Sequence, residues 1–173
     1  MNYTKWRLTL LTTGGTIDKI YGIGKGVQDL HIGAPVAPDI LKKRLYNDDR
    51  IFDYRVVCRK DSLEMDESDR RDICEYAHGT RTRHVLITHG TDTMVETAQA
   101  LKADLRLRDK RIVLVGASQP ACMRESDAEW RLGYALAVLM MSSEPGVIIA
   151  MDGIHEDPDN CRKNDAGVFR SFS

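Results

Sequence analysis

Five short apolar runs, at residues 7–13, 52–58, 84–88, 111–115 and 146–151, constrain this chain more than any other feature. All are short for a helix. Four are apolar between polar ends, as strands buried on both sides are, while 52–58 holds Asp53 and Arg55 and reads as a strand from its β-formers. Helical spacing fills the intervals. Residues 38–46 start with Pro38 in a position suited to a first turn. Residues 66–78 can start at Asp66 or Ser68, with Met65, Ile73, Tyr76 and Ala77 in helical register. Residues 93–108 carry Val95, Ala98, Leu101 and Leu105 along one face, and 126–141 open with Ser126 and Glu129 in capping-box spacing. Strands alternating with helices predict an α/β fold: a three-layer parallel sheet with helices on both faces. Beyond Asp152 the chain turns polar, and Val168-Phe169 is a candidate terminal strand.

A length of 173 residues suits one domain with a real core, and 42% hydrophobic against 29% charged residues is an ordinary globular balance. A net charge of −1, with acids interleaved among the bases, gives no field that would draw nucleic acid or an anionic membrane. No stretch is long and apolar enough to span a bilayer. The amino terminus shows no secretory signal pattern, so a cytoplasmic location is expected. Cys58, Cys74, Cys122 and Cys161 are widely spaced, which argues against a metal site or a redox pair and for reduced thiols.

Two polar segments stand where apolar strands end: Thr12-Thr13-Gly14-Gly15-Thr16-Ile17 and Thr88-His89-Gly90-Thr91-Asp92-Thr93. In a parallel sheet, ligands bind outside the carboxyl ends of the strands, so both segments, with the Gly116–Pro120 turn, belong to one edge. Thr16 either satisfies a turn or acts as a hydroxyl nucleophile, with glycine amides around it for an oxyanion. Asp92 either caps the following helix or binds a substrate ammonium group. His89 reads as a satisfied core histidine. A threonine nucleophile needs activation, for which Tyr21 and a lysine of depressed pKa are candidates. Residues 18–35 hold Gly22, Gly24, Gly26 and Gly33 without periodicity, and read as a lid loop over the site. Neither dinucleotide-fingerprint nor P-loop spacing occurs, and no cofactor is expected.

The two threonine segments, in this order and strand context, resemble the bacterial-type L-asparaginases and their glutaminase-asparaginase relatives. Val115-Gly116-Ala117 with Pro120 is similar to a third, weaker segment of that family. The resemblance implies hydrolysis of the asparagine side-chain amide to aspartate and ammonia. It implies the fold of the family's amino-terminal domain. Thr16 then matches the nucleophile, and Thr91 and Asp92 the pair that assists catalysis and holds the substrate α-amino group. Gly15 joins them in the substrate site. Ser62 resembles the serine that holds the α-carboxylate, although Asp61 stands before it where glycine is frequent, and Glu64 stands where aspartate is frequent. Lys163 resembles the lysine paired with the second threonine, and Tyr21 the lid tyrosine.

The family's usual second domain has no counterpart in these 173 residues, which implies either a short member or a fragment; a short, single-domain member over residues 1–173 is expected, with weak substrate binding. The resemblance also implies a homo-oligomer, a dimer or tetramer, with the apolar strip 136–141 as interface or as core. Two other readings share these residues: an amidase subunit of an amidotransferase, and an amino-acid-binding module without catalysis.

Overall fold

The computed structural model describes residues 7–22, 30–45 and 52–172. The amino-terminal lead-in at 1–6, Gly24, Gly26 and the Tyr46 end of the first expected helix lie outside them. Five strands run parallel: β1 (Leu8–Gly14), β4 (Phe52–Lys60), β5 (His84–Thr88), β6 (Arg111–Val115) and β7 (Gly146–Met151). The sheet order is β4-β1-β5-β6-β7, with β8 (Ile154–Glu156) added antiparallel at the edge. Every residue of β1 is buried, as a central strand covered on both faces requires. Helices α1 (Ala37–Arg44) and α4 (Ala128–Met141) touch each other, as do α2 (Glu67–Gly79) and α3 (Met94–Ala103), so each pair covers one face. The three-layer parallel arrangement is the expected one.

β5-α3-β6 and β6-α4-β7 step the same way across the sheet, yet their helices lie on opposite faces. One of these crossovers is therefore left-handed, the rare hand.

Several boundaries differ from the expectation, each for a local reason. The helix expected to reach Arg108 ends at Ala103, because Asp104 accepts from the Arg106 amide and starts a 3-10 turn at Leu105–Leu107. The Ser126–Glu129 capping box does not form. Asp127 occupies the N-cap, Ser126 Oγ accepts from the Ala128 amide, and Glu129 pairs instead with Arg44. The box is realised on α2, where Asp66 and Asp69 cap each other's amides. The strip 136–141 divides by helical period: Val138 and Leu139 are core, Met140 and Met141 exposed. The expected lid loop is partly regular. β2 (Lys19–Tyr21) and β3 (Leu30–Ile32) pair as antiparallel strands, with the segment between them outside the described residues. β9 (Cys161–Lys163) and β10 (Phe169–Ser171) form a second small ribbon, which takes up the expected terminal strand.

Candidate active site

The chain leaves β1 for β4 on one side and returns past it to β5 on the other. The carboxyl ends of β1 and β5 therefore flank the reversal of strand order, where open α/β sheets bind ligands. Both threonine loops emerge there. Between Thr12 and Gly14 the register slips: β4 spends the residues from Val56 to Lys60 while β1 advances two. Gly14 and Gly15 absorb this with φ of 99° and 85°. Gly15, with ψ of −173°, lies in a region only glycine enters freely. Its amide donates to the Lys60 carbonyl at 3.0 Å, so Gly15 contributes room rather than a free donor. That room is used: a methyl at Gly15 would stand 2.5 Å from Gly90 Cα and N, and one at Gly90 2.6 Å from Ser62 Oγ. Three loops, from β1, β5 and β4, thus stack at van der Waals contact.

Thr16 opens a 3-10 turn (Thr16–Asp18) immediately beyond this contact. Thr91 follows Gly90 directly, so Thr16 and Thr91 spring from touching backbones. Lys163, on β9, donates to Thr91 Oγ1 at 2.9 Å and to Asp92 Oδ1 at 2.5 Å. Asp92 makes no cap bond to α3, whose N-cap is Thr93, and Thr93 Oγ1 donates to the Ser62 carbonyl at 2.8 Å. The capping role is therefore not the one adopted. Ser62 is 1% exposed and its hydroxyl has no partner among the described residues, which leaves a donor facing the Gly90 backbone. Glu64, two residues on, is exposed. Tyr21 ends β2 and is 47% exposed; among the described residues no hydrogen bond joins it to Thr16, Thr91 or Lys163.

His89 is structural. It is fully buried, Nδ1 bonds the Gly90 carbonyl at 2.7 Å, and Nε2 bonds Thr97 Oγ1 at 2.9 Å. The carbonyl can only accept, so Nδ1 carries the proton and Nε2 accepts from Thr97. Burial pushes its pKa down to about 4, keeping it neutral. Among the described residues, no group of three or more His, Cys, Asp or Glu is placed to hold a metal ion.

Other supports were hidden in the sequence. Lys60 bonds both Asp69 carboxylate oxygens at 2.8 Å, fixing the strand end that shapes the Gly14-Gly15 turn. Lys19 pairs with Asp61 at 2.8 Å, and this bond holds the Asp61 carboxyl below its ordinary pKa. Asp61 also caps the Ser62 turn through the Leu63 amide, the one part of its role that the sequence spacing signals. Arg131, buried on α4, reaches Asp127, Ser118 Oγ and Asp152 together. Asp152 in turn accepts from the Phe169 amide at 2.7 Å, which anchors the ribbon that carries Lys163.

The chain is similar to L-asparaginase 2 of Escherichia coli (strain K12), 29% identical over 181 residues, which span 96% of this chain and 49% of that protein. Among solved structures, the probable cytoplasmic L-asparaginase from Campylobacter jejuni superposes with a TM-score of 0.77 at 27% identity, covering 96% of this chain and 53% of that one. The thermostable L-asparaginase from Thermococcus kodakarensis gives 0.77 at 26% identity, covering 95% and 51%. The chain spans about half the length of these relatives. The family model described as "Asparaginase, N-terminal" matches residues 7–173. With a match that runs from Arg7 to the last residue, the chain belongs to the asparaginase family.

Proposed function

We propose that this protein is an L-asparaginase, an amidohydrolase that converts L-asparagine to L-aspartate and ammonia with Thr16 as nucleophile. The observation that carries the reading is the Lys163–Thr91–Asp92 linkage, which joins groups 72 residues apart to the loop beside Thr16. Thr16 Oγ attacks the amide carbon. Thr91 takes the Thr16 proton and passes its own to the amide nitrogen, which leaves as ammonia. The bond from the Lys163 ammonium polarises the Thr91 hydroxyl and makes it the better proton donor. Water then cleaves the threonine ester, releasing aspartate and restoring Thr16. Asp92 keeps one carboxylate oxygen for the substrate ammonium. The Ser62 hydroxyl serves the α-carboxylate, Gly15 forms part of the substrate site by letting the Gly90 loop close against it, and Tyr21 comes over the site from the hairpin.

Supporting a homo-oligomer, dimer or tetramer, α4 exposes Trp130, stacked on Tyr134, together with Met140 and Met141. The cytoplasm suits four unpaired cysteines.

The test is ammonia and aspartate release from L-asparagine by the wild type and Thr16→Ala. A loss of about 10³-fold or more in kcat is expected for Thr16→Ala. Equal turnover by the two proteins defeats the assignment.

A further inference from the structure

Asp18 closes the turn that Thr16 opens and stands at the root of the β2–β3 hairpin. It is 1% exposed, and it touches both ends of that excursion. At the entry its amide donates to the Gly15 carbonyl at 3.1 Å. At the exit its carbonyl accepts from the Gly33 amide at 2.8 Å, and Oδ1 accepts from the Val36 amide at 3.0 Å. Val36 is the N-cap of α1, so the carboxyl ties the hairpin to a helix packed on the sheet. The fit at Gly33 is close: a methyl there would stand 3.0 Å from Ile20 Cδ1 and 3.2 Å from the Asp18 carbonyl.

The rest of the root is bound as well. Ala121 donates to the Ile17 carbonyl at 3.1 Å, and Lys19 reaches Asp61 beside Ser62. Yet Asp18 Oδ2 is buried with no partner among the described residues. Burial raises the Asp18 pKa to about 6 against the Val36 bond and the field of Arg59, both of which lower it. Packing alone gives no reason to bury a half-used carboxyl. Joining two chain segments does.

We propose that Asp18 is a positioning residue for the amide hydrolysis inferred above, a clasp that holds both ends of the β2–β3 hairpin and so sets where Tyr21 stands relative to Thr16. The proposal rests on the asparaginase reading for its catalytic consequence, but not for the clasp itself.

Two measurements on the full chain separate these. Hydrogen exchange reads the clasp directly: Asp18→Ala speeds exchange of the Val36 and Leu30–Gly33 amides tenfold or more, while Asp18→Asn, which keeps an acceptor for Val36, stays within threefold of wild type. Should Asp18→Ala not fold, Val36→Pro removes the donor instead and gives the same loosening at residues 30–33. Kinetics read the consequence: kcat for asparagine falls about tenfold in the loosened variant and returns in Asp18→Asn, while KM, set by Ser62 and Asp92, stays within threefold. Unchanged exchange in the variant that folds overturns the clasp. Loosened exchange with unchanged kcat, or with the loss confined to KM, overturns the positioning role. A wild type that releases no ammonia defeats the asparaginase reading and leaves exchange to decide the clasp alone.

Discussion

Gly15 shows how much one residue without a side chain can decide. Its φ of 85° and ψ of −173° are costly for any other residue, and a β-carbon there meets backbone rather than a yielding side chain. Strain and overlap each cost about 1–3 kcal/mol, so Gly15→Ala is expected to lose at least about 2 kcal/mol of stability in urea unfolding. A loss below about 1 kcal/mol means that the Gly15–Gly90 approach is looser than described. Thr16, Thr91 and Asp92 were legible because each sits in an unbroken run of chemistry-bearing residues at a strand end. Lys163 was legible only through the family resemblance, since no local pattern marks a lysine whose partner is 72 residues away. Asp18, Lys60 and Asp61 were not legible as supports. Their partners Val36, Asp69 and Lys19 become neighbours only once the loops fold back.

Elements were readable where burial imposes a period and less so where caps compete. β5, β6 and β7 have the boundaries expected of them, because apolar runs covered on both faces leave little freedom. At the start of α4, two adjacent side chains, Ser126 and Asp127, both offer oxygen to amides. Asp127 takes the N-cap while its carboxylate accepts from the Ser118 and Gln119 amides. At α2 no such rivalry exists: Asp66 takes the Ser68 and Asp69 amides, and Asp69 returns a bond to the Asp66 amide. Asp66→Ala is therefore expected to cost about 1 kcal/mol, read as a lower urea midpoint with unchanged slope. An unshifted midpoint shows that packing of Ile73 and Ala77 holds the helix without its cap. Hydropathy has no means of signalling the opposed placement of α3 and α4, since handedness is a property of the connection and not of any residue in it.

Across the whole molecule, two buried groups pull stability in opposite directions with pH. His89 has a folded pKa of about 4, below its ordinary 6.5, so its contribution is full above 6.5 and is lost as pH falls toward 4. Asp18 has a folded pKa of about 6, above its ordinary 3.8. Its contribution is full below 3.8 and is lost as pH rises through 6. Asp18→Asn removes only the second effect. Relative to wild type it is expected to gain about 2 kcal/mol between pH 4 and pH 7.5, whatever constant cost the amide brings. Unfolding curves at the two pH values check this, and a difference that does not change with pH rules out a buried carboxyl at that site. The ribbon of β9 and β10 has a wider consequence. Lys163 arrives on a strand outside the main sheet, held there by Asp152 and Arg131. The lysine and the threonine loops therefore answer to different scaffolds, so loosening the Asp152–Arg131 anchor is expected to displace Lys163 while leaving the main sheet intact.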